Sequence, residues 1–267
     1  MKKLIVAILI LWGNQIIKAQ NSALKHIDSI KISKDSEMST DHLGHLYLIT
    51  PTNDIIKYNR DGQLVANANF KIYGKIAIID VSNPFMIFVF YRDQNKILVL
   101  DNLLNILNTI DLESANISQV GCMARSFDNQ IWLYDLADLK LKKYQLDLTL
   151  IYSSAPFNLL PIKHSFQIKQ ILDISSAVQV LNDNQILQFD IFGNYHNIIL
   201  EDSLLSNYQF NNNIIRFYHQ GKLFFYNTKL FEMTEMIVAE IPQIKNIRIE
   251  KERVYILTDE YVILQSL

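Results

Sequence analysis

Short apolar runs of five to seven residues, rich in Ile, Val, Leu, Tyr and Phe and stopped by Asn, Asp or Gly, follow one another along the chain. The stretch DHLGHLYLITPTNDIIKYNRDGQLV, residues 41–65, shows the rhythm: turn, strand, turn, strand, turn, strand. Runs this short predict β-strands, because helices would need longer stretches with a 3.6-residue period. The runs come in pairs. The first member of each pair begins at His45, Met86, Gln130, Ala177, Ile214 and Arg253, and the second is anchored at Tyr58, Leu100, Tyr144, Phe189, Tyr226 and Leu264. Successive anchors lie 37 to 45 residues apart, a period that signals propeller blades or a helical array, and the strand character selects the propeller.

A third run precedes five of the pairs, from Lys75, Gln119, Gln167, Leu205 and Lys245, and a fourth follows five of them, from Gln63, Asn105, Leu148, Asn194 and Leu230. Each unit therefore reads as the four strands of a blade. The sixth unit reaches only its third strand at Leu267. An unpaired outer strand there would expose a row of backbone donors and acceptors. Ahead of the first unit, KHIDSIKIS places Ile27, Ile30 and Ile32 among polar residues and has no unit of its own. The expectation is an all-β, six-bladed β-propeller of four-stranded blades, closed by the N-terminal strand completing the last blade, with residues 26–32 and 260–267 in one sheet.

The residues Asp41-His42-Leu43-Gly44-His45-Leu46-Tyr47, with Ile55-Ile56-Lys57-Tyr58-Asn59-Arg60-Asp61-Gly62, resemble one repeat of the six-bladed propellers related to NHL-repeat and SMP-30-like proteins. In those, a D-x-x-G-x-hydrophobic-aromatic turn precedes the second strand and a D-G turn follows the third. Asp128 to Trp132 and Phe192-Gly193-Asn194 echo the pattern. The resemblance implies a divalent metal held by carboxylates and amides at the channel mouth, as in SMP-30-like lactonases. The strand-end groups Asp80, Asp173, Glu201 and Asp202 are the corresponding candidates, but none matches the ligand pattern one by one. With only 7 glycines in 267 residues, most turns are expected to use Asn or Asp, which tolerate a left-handed backbone.

The start of the chain, MKKLIVAILILWGNQIIKAQ, places Lys2 and Lys3 before an apolar run from Leu4 to Trp12 and ends in Ala19-Gln20. It reads as a secretory signal peptide of residues 1–19, leaving residues 20–267 as the propeller domain. An uncleaved anchor is the alternative reading, although a run of this length rises only about 14 Å as a helix. Without Lys2, Lys3 and Lys18, the remaining 22 Lys and Arg face 27 Asp and Glu. That acidic balance argues against a nucleic-acid partner, and no later run is long enough to insert into a membrane. The one cysteine, Cys122, forbids an internal disulfide and reads as a buried small hydrophobe.

Chemistry is sparse. His42 and His45 form an H-x-x-H without a third ligand nearby, and His26, His164, His196 and His219 fall in different units. No G-x-S-x-G elbow and no glycine-rich phosphate loop occurs. Trp132 reads as core packing. No catalytic residue, metal ligand or cofactor site is assigned. One connection stands out: SSAPFNLLPIKHSF, residues 153–166, is longer than its counterparts and carries Phe157, Leu159, Leu160 and Pro161 after Pro156. These four are candidate protein-binding residues, and the alternative is that the loop packs as a local plug of core. The resulting expectation is a non-catalytic exported propeller that binds another envelope protein in the periplasm or cell envelope of a Gram-negative bacterium. Its Ala-Gln signal ending and its richness in Ile, Asn and Lys are similar to those of Bacteroidota, whose envelopes use exported propellers as accessory subunits of the type IX secretion translocon. The alternative is a metal-dependent hydrolase, lactonase or lyase of the SMP-30-like type.

Overall fold

The structure, a computed structural model, describes residues 25–162, 167–205, 208–237, 241 and 243–266. The expected signal peptide and His164 lie outside the described residues. Strand β1 (Lys25–Lys31) comes first in the chain. Blade one follows as β2 (Glu37–Thr40), β3 (Leu46–Ile49), β4 (Asp54–Tyr58) and β5 (Leu64–Asn69). Blade two is β6 (Ile76–Asp80), β7 (Ile87–Tyr91), β8 (Lys96–Leu100) and β9 (Ile106–Asp111). Blade three is β10 (Val120–Arg125), β11 (Ile131–Asp135), β12 (Lys140–Tyr144) and β13 (Leu150–Ser153). Blade four is β14 (Gln170–Asp173), β15 (Val178–Leu181), β16 (Gln185–Phe189) and β17 (Tyr195–Glu201). Blade five is β18 (Tyr208–Asn211), β19 (Ile214–His219), β20 (Lys222–Asn227) and β21 (Glu232–Ile237). Blade six adds β22 (Asn246–Glu250), β23 (Arg253–Leu257) and β24 (Tyr261–Ser266).

All six sheets have four antiparallel strands, and the last is ordered β1-β24-β23-β22, so the first strand of the chain completes the final blade. Ile30 pairs with Val262, and the Ile32 N–H donates to Glu260 O at 2.8 Å just beyond the strand. Further contacts join the ends of the ring. Tyr255 Oη donates to Gly44 O at 2.6 Å, and Arg253 Nη2 reaches Asp61 Oδ1 at 3.0 Å. Gly62, at φ +84°, lies so close to β1 that a Cβ would stand 2.6 Å from Asp28 Oδ2. The left-handed backbone favours glycine, and the approach leaves little room for a side chain.

The apolar core is divided among the seams between neighbouring blades. In β11, Ile131 and Leu133 pack toward blade two, while Trp132 and Tyr134 pack toward blade four. In β7, Ile87, Val89 and Tyr91 face blade one, while Phe88 and Phe90 face blade three. Side chains alternate across a strand, so a strand covered on both faces reads as a continuous apolar run. That is why the second strand of each unit is so legible. The inner strand of blade one, β2, is the one the sequence pattern does not reveal, because Glu-Met-Ser-Thr carries a single apolar residue and lines the channel.

The turns partly follow the expected chemistry. Asn53, Asn95, Asn116, Asn129, Asn212 and Asn213 hold a left-handed backbone, but so do Leu104, Leu139 and Leu148. Leu104 and Leu148 occupy the place that Gly62 and Gly193 take in blades one and four. Leu104 is nearly fully buried in the seam between blades one and two, and that burial offsets a conformational cost of about 1–2 kcal/mol. Among the described residues no helix is long and apolar enough to cross a membrane.

Candidate functional site

Six inner strands surround the channel, and each inner strand has an unpaired edge. Side chains of the preceding blade satisfy several of those edges. Asp80 Oδ2 accepts from Arg125 N at 2.7 Å, Gln170 Oε1 from Tyr208 N at 3.3 Å, and Gln209 Oε1 from Ile249 N at 2.8 Å. These polar pegs keep the ring of inner strands spaced while covering backbone donors that would otherwise be unpaired.

Where the inner strands end, the channel opens into a cavity of about 660 Å³. Every blade contributes: Thr40 and Asp41, Ser82 and Asn83, Arg125 and Phe127, Asp173 and Ser175, Phe210 to Asn212 with Arg216, and Arg248 to Glu250. A narrower section of about 270 Å³, lined partly by Met38, Ile78, Cys122, Met123 and Ile171, continues inward and shares Thr40, Gln170 and Arg248 with the mouth. Cys122 is buried there, and desolvation pushes its thiol up to about 12.

Glu250 is the perturbed acid of this mouth. Its Oε1 accepts from Thr40 Oγ1 at 2.9 Å and from Gln209 Nε2 at 2.7 Å. Burial, helped by the Asp41 charge, raises its carboxyl to about 7 against the opposing pull of the Thr40 hydrogen bond and of Arg248 and Arg216. Burial likewise lowers Arg216 and Arg248 from the usual guanidinium range, with Glu250 opposing in both cases.

The sequence candidates separate in space. Asp80 and Asp173 reach the channel at the ends of β6 and β14. Asp80 caps the Arg125 and Ser82 N–H groups, and Asp173 accepts from Trp132 Nε1 at 2.9 Å and from Ser175 N. Glu201 and Asp202 lie away from the channel, because β17 is the outermost strand of its blade; Glu201 accepts from Gln185 Nε2 at 3.0 Å. His42 donates to Ser82 O at 3.3 Å, and His45 to Asp41 Oδ2 at 2.8 Å, which the Tyr47 hydroxyl also reaches, while the Leu43 and His45 amides donate to Asp41 Oδ1. Among the described residues no three His, Cys, Asp or Glu side chains are grouped to hold a metal ion. Trp132 is fully buried, as expected, beneath Lys143 Nζ at 5.5 Å from its ring.

The loop after β13 needs a correction. Phe157 is not on the surface: it is fully buried, stacked on Phe189 at 5.3 Å and tilted against Tyr134 at 4.9 Å. An aromatic ring facing the open seam between blades three and four gains more by filling it than by standing in water. Leu159 is 74% exposed, Pro161 is exposed and Leu160 is half-buried. This loop enters an inner strand and so lies at the end of the channel opposite the 660 Å³ mouth.

Sequence reasoning missed Arg216, Arg248 and Glu250. The available signal was an arginine inside an otherwise apolar strand, in IIRFYH and NIRIE.

No protein-family model matches the chain, and no curated protein matches it in sequence. Solved structures do match in fold. A catalytically inactive virginiamycin B lyase from Staphylococcus aureus with quinupristin superposes with a TM-score of 0.59 at 14% identity, covering 90% of this chain and 99% of that one. A Bacteroides fragilis protein described as exported gives 0.60 at 10% identity, covering 92% and 95%. BamB from Moraxella catarrhalis gives 0.51 at 9% identity, covering 92% and 98%. At these identities the likeness is one of fold.

Proposed function

We propose that this chain is an exported, non-catalytic propeller that binds another protein of a Gram-negative cell envelope. The observation that carries the reading is the apolar decoration of the turns at the cavity-mouth end. In an antiparallel blade the turns after the first and third strands lie at the same end, and there Phe85, Leu103, Phe127, Phe192, Leu230 and Phe231 are all exposed, Phe127 by 64% and Phe231 by 76%. Single exposed apolar residues are ordinary, but large ones on the turns of four successive blades at one end suit a docking face. The loop carrying Leu159, Leu160 and Pro161 is retained as a second docking proposal on the opposite face, with Phe157 as its buried foot.

Export is supported by the N-terminal pattern of Lys2, Lys3 and the apolar run, and the fold likeness to a protein described as exported agrees with it. The finer reading, an accessory subunit of the type IX secretion translocon, rests on export, chain length and propeller form. The metal-dependent hydrolase or lyase reading ranks second because Asp80, Asp173 and Glu250 each already accept hydrogen bonds from neighbouring blades. The test is co-purification from envelope fractions with the wild type, with Phe127→Ser/Phe231→Ser and with Leu159→Ser. Loss of a specific partner in the first variant supports the mouth face, and loss in the second supports the loop. Recovery of no partner by the wild type overturns the scaffold reading, and a partner set without secretion components removes the finer one.

A further inference from the structure

Arg125, Arg216 and Arg248 come to the wall of one cavity, and among the described residues none lies within ion-pair distance of a carboxylate. Arg125 is held in place: its Nε donates to Ser82 Oγ at 3.1 Å and its Nη1 to Ser126 O and Asn129 Oδ1, both at 2.8 Å. The other two are not. Arg248 makes one long bond, from Nη1 to Tyr208 O at 3.4 Å, and its buried Nε meets no acceptor. The Arg216 side chain makes no hydrogen bond to a described residue.

Both guanidinium groups are half-buried in the wall of an open cavity, and with their donors largely free of protein partners they are placed to receive an anion. The carboxylates on the same wall do not supply it. Asp41 turns both oxygens into its own turn, and Asp173 is engaged by Trp132 and Ser175. Glu250 faces Arg216 and Arg248 but lies within ion-pair distance of neither, and its Oε1 is taken by Thr40 and Gln209. The remaining polar wall, including Asn211, Asn212 and Ser175, offers amide and hydroxyl groups, and Phe127 and Phe210 add apolar surface.

We propose that the channel mouth binds a small organic anion, a carboxylate or phosphate, whose charge is received by Arg216 and Arg248 with Arg125 at the rim. Guanidinium groups pair with either anion through two parallel N–H donors, which ammonium groups cannot do. The cavity volume falls within the range of small-molecule sites. This goes beyond the protein-docking reading, which uses the exposed turns around the mouth and not the arginines inside it.

The test is calorimetric titration of the purified protein with succinate and, separately, inorganic phosphate at constant ionic strength, with sodium chloride as the control. The expected result is one-site binding of at least one probe with a dissociation constant of about 1 mM or tighter. Arg216→Gln should weaken it about tenfold or more. Glu250→Gln keeps an oxygen for Thr40 and Gln209 but removes the competing carboxylate, and should tighten it at pH 8. Should Arg216→Gln fail to fold, the Glu250→Gln titration decides alone. Which probe binds distinguishes carboxylate from phosphate. Absence of binding by both probes, binding unchanged by Arg216→Gln and by Glu250→Gln, or binding of an acidic peptide where neither small anion binds would each overturn the proposal.

Discussion

Glu250 holds its proton into the neutral range because the ring closes over it, and that has a consequence for stability. Its carboxyl ionises near the ordinary 4.5 when the chain is unfolded and near 7 when folded. Between those values the folded state holds more protons than the unfolded one, so stability falls as pH rises through that window. The loss is on the order of 3 kcal/mol once pH exceeds 7. Replacing Glu250 with Gln removes the ionisation and keeps an acceptor for Thr40 and Gln209. Urea denaturation at pH 5 and pH 8 should therefore show a smaller drop for Glu250→Gln than for the wild type, and equal drops would refute the assignment. Nothing in NIRIE marks this residue, since its partners Thr40 and Gln209 come from distant parts of the chain.

Two kinds of strand emerge from one repeat. Second strands such as β7 and β11 are buried on both faces and bind two seams together, whereas outer strands such as β9 expose Ile106 and Leu107. The loop after β13 behaves as an extension of a seam, with Phe157 in the same cluster as Phe189 and Tyr134. Phe157→Ala should thus cost about 3–5 kcal/mol in equilibrium unfolding, while Leu159→Ser should change stability by less than about 0.5 kcal/mol. Equal effects would place Phe157 outside the core. Its neighbours along the chain look alike in apolarity; what separates them is which one faces the gap between two blades, and a linear pattern carries no such information.

The ring stands or falls with its closure. β1 pairs with β24 along its length, and the adjoining seam packs Ile30, Met38, Leu46, Leu48, Tyr255, Leu257, Val262 and Leu264 together. Deleting β1 leaves the edge of β24 open and uncovers part of that seam. The expected outcome is loss of the single cooperative urea transition, with self-association visible by size-exclusion chromatography. A truncated protein that stays monomeric and unfolds at the wild-type midpoint would refute closure by this strand.

How many blades there are, where the circle joins and every strand but β2 were legible in the chain, because alternation within a strand and repetition of a supersecondary unit are local properties that apolar residues record directly. The channel mouth was not legible. Arg216, Arg248, Gln209 and Glu250 come from two blades and Thr40 from a third, 210 residues away from Glu250, so their meeting exists only once blade six has been brought round against blade one.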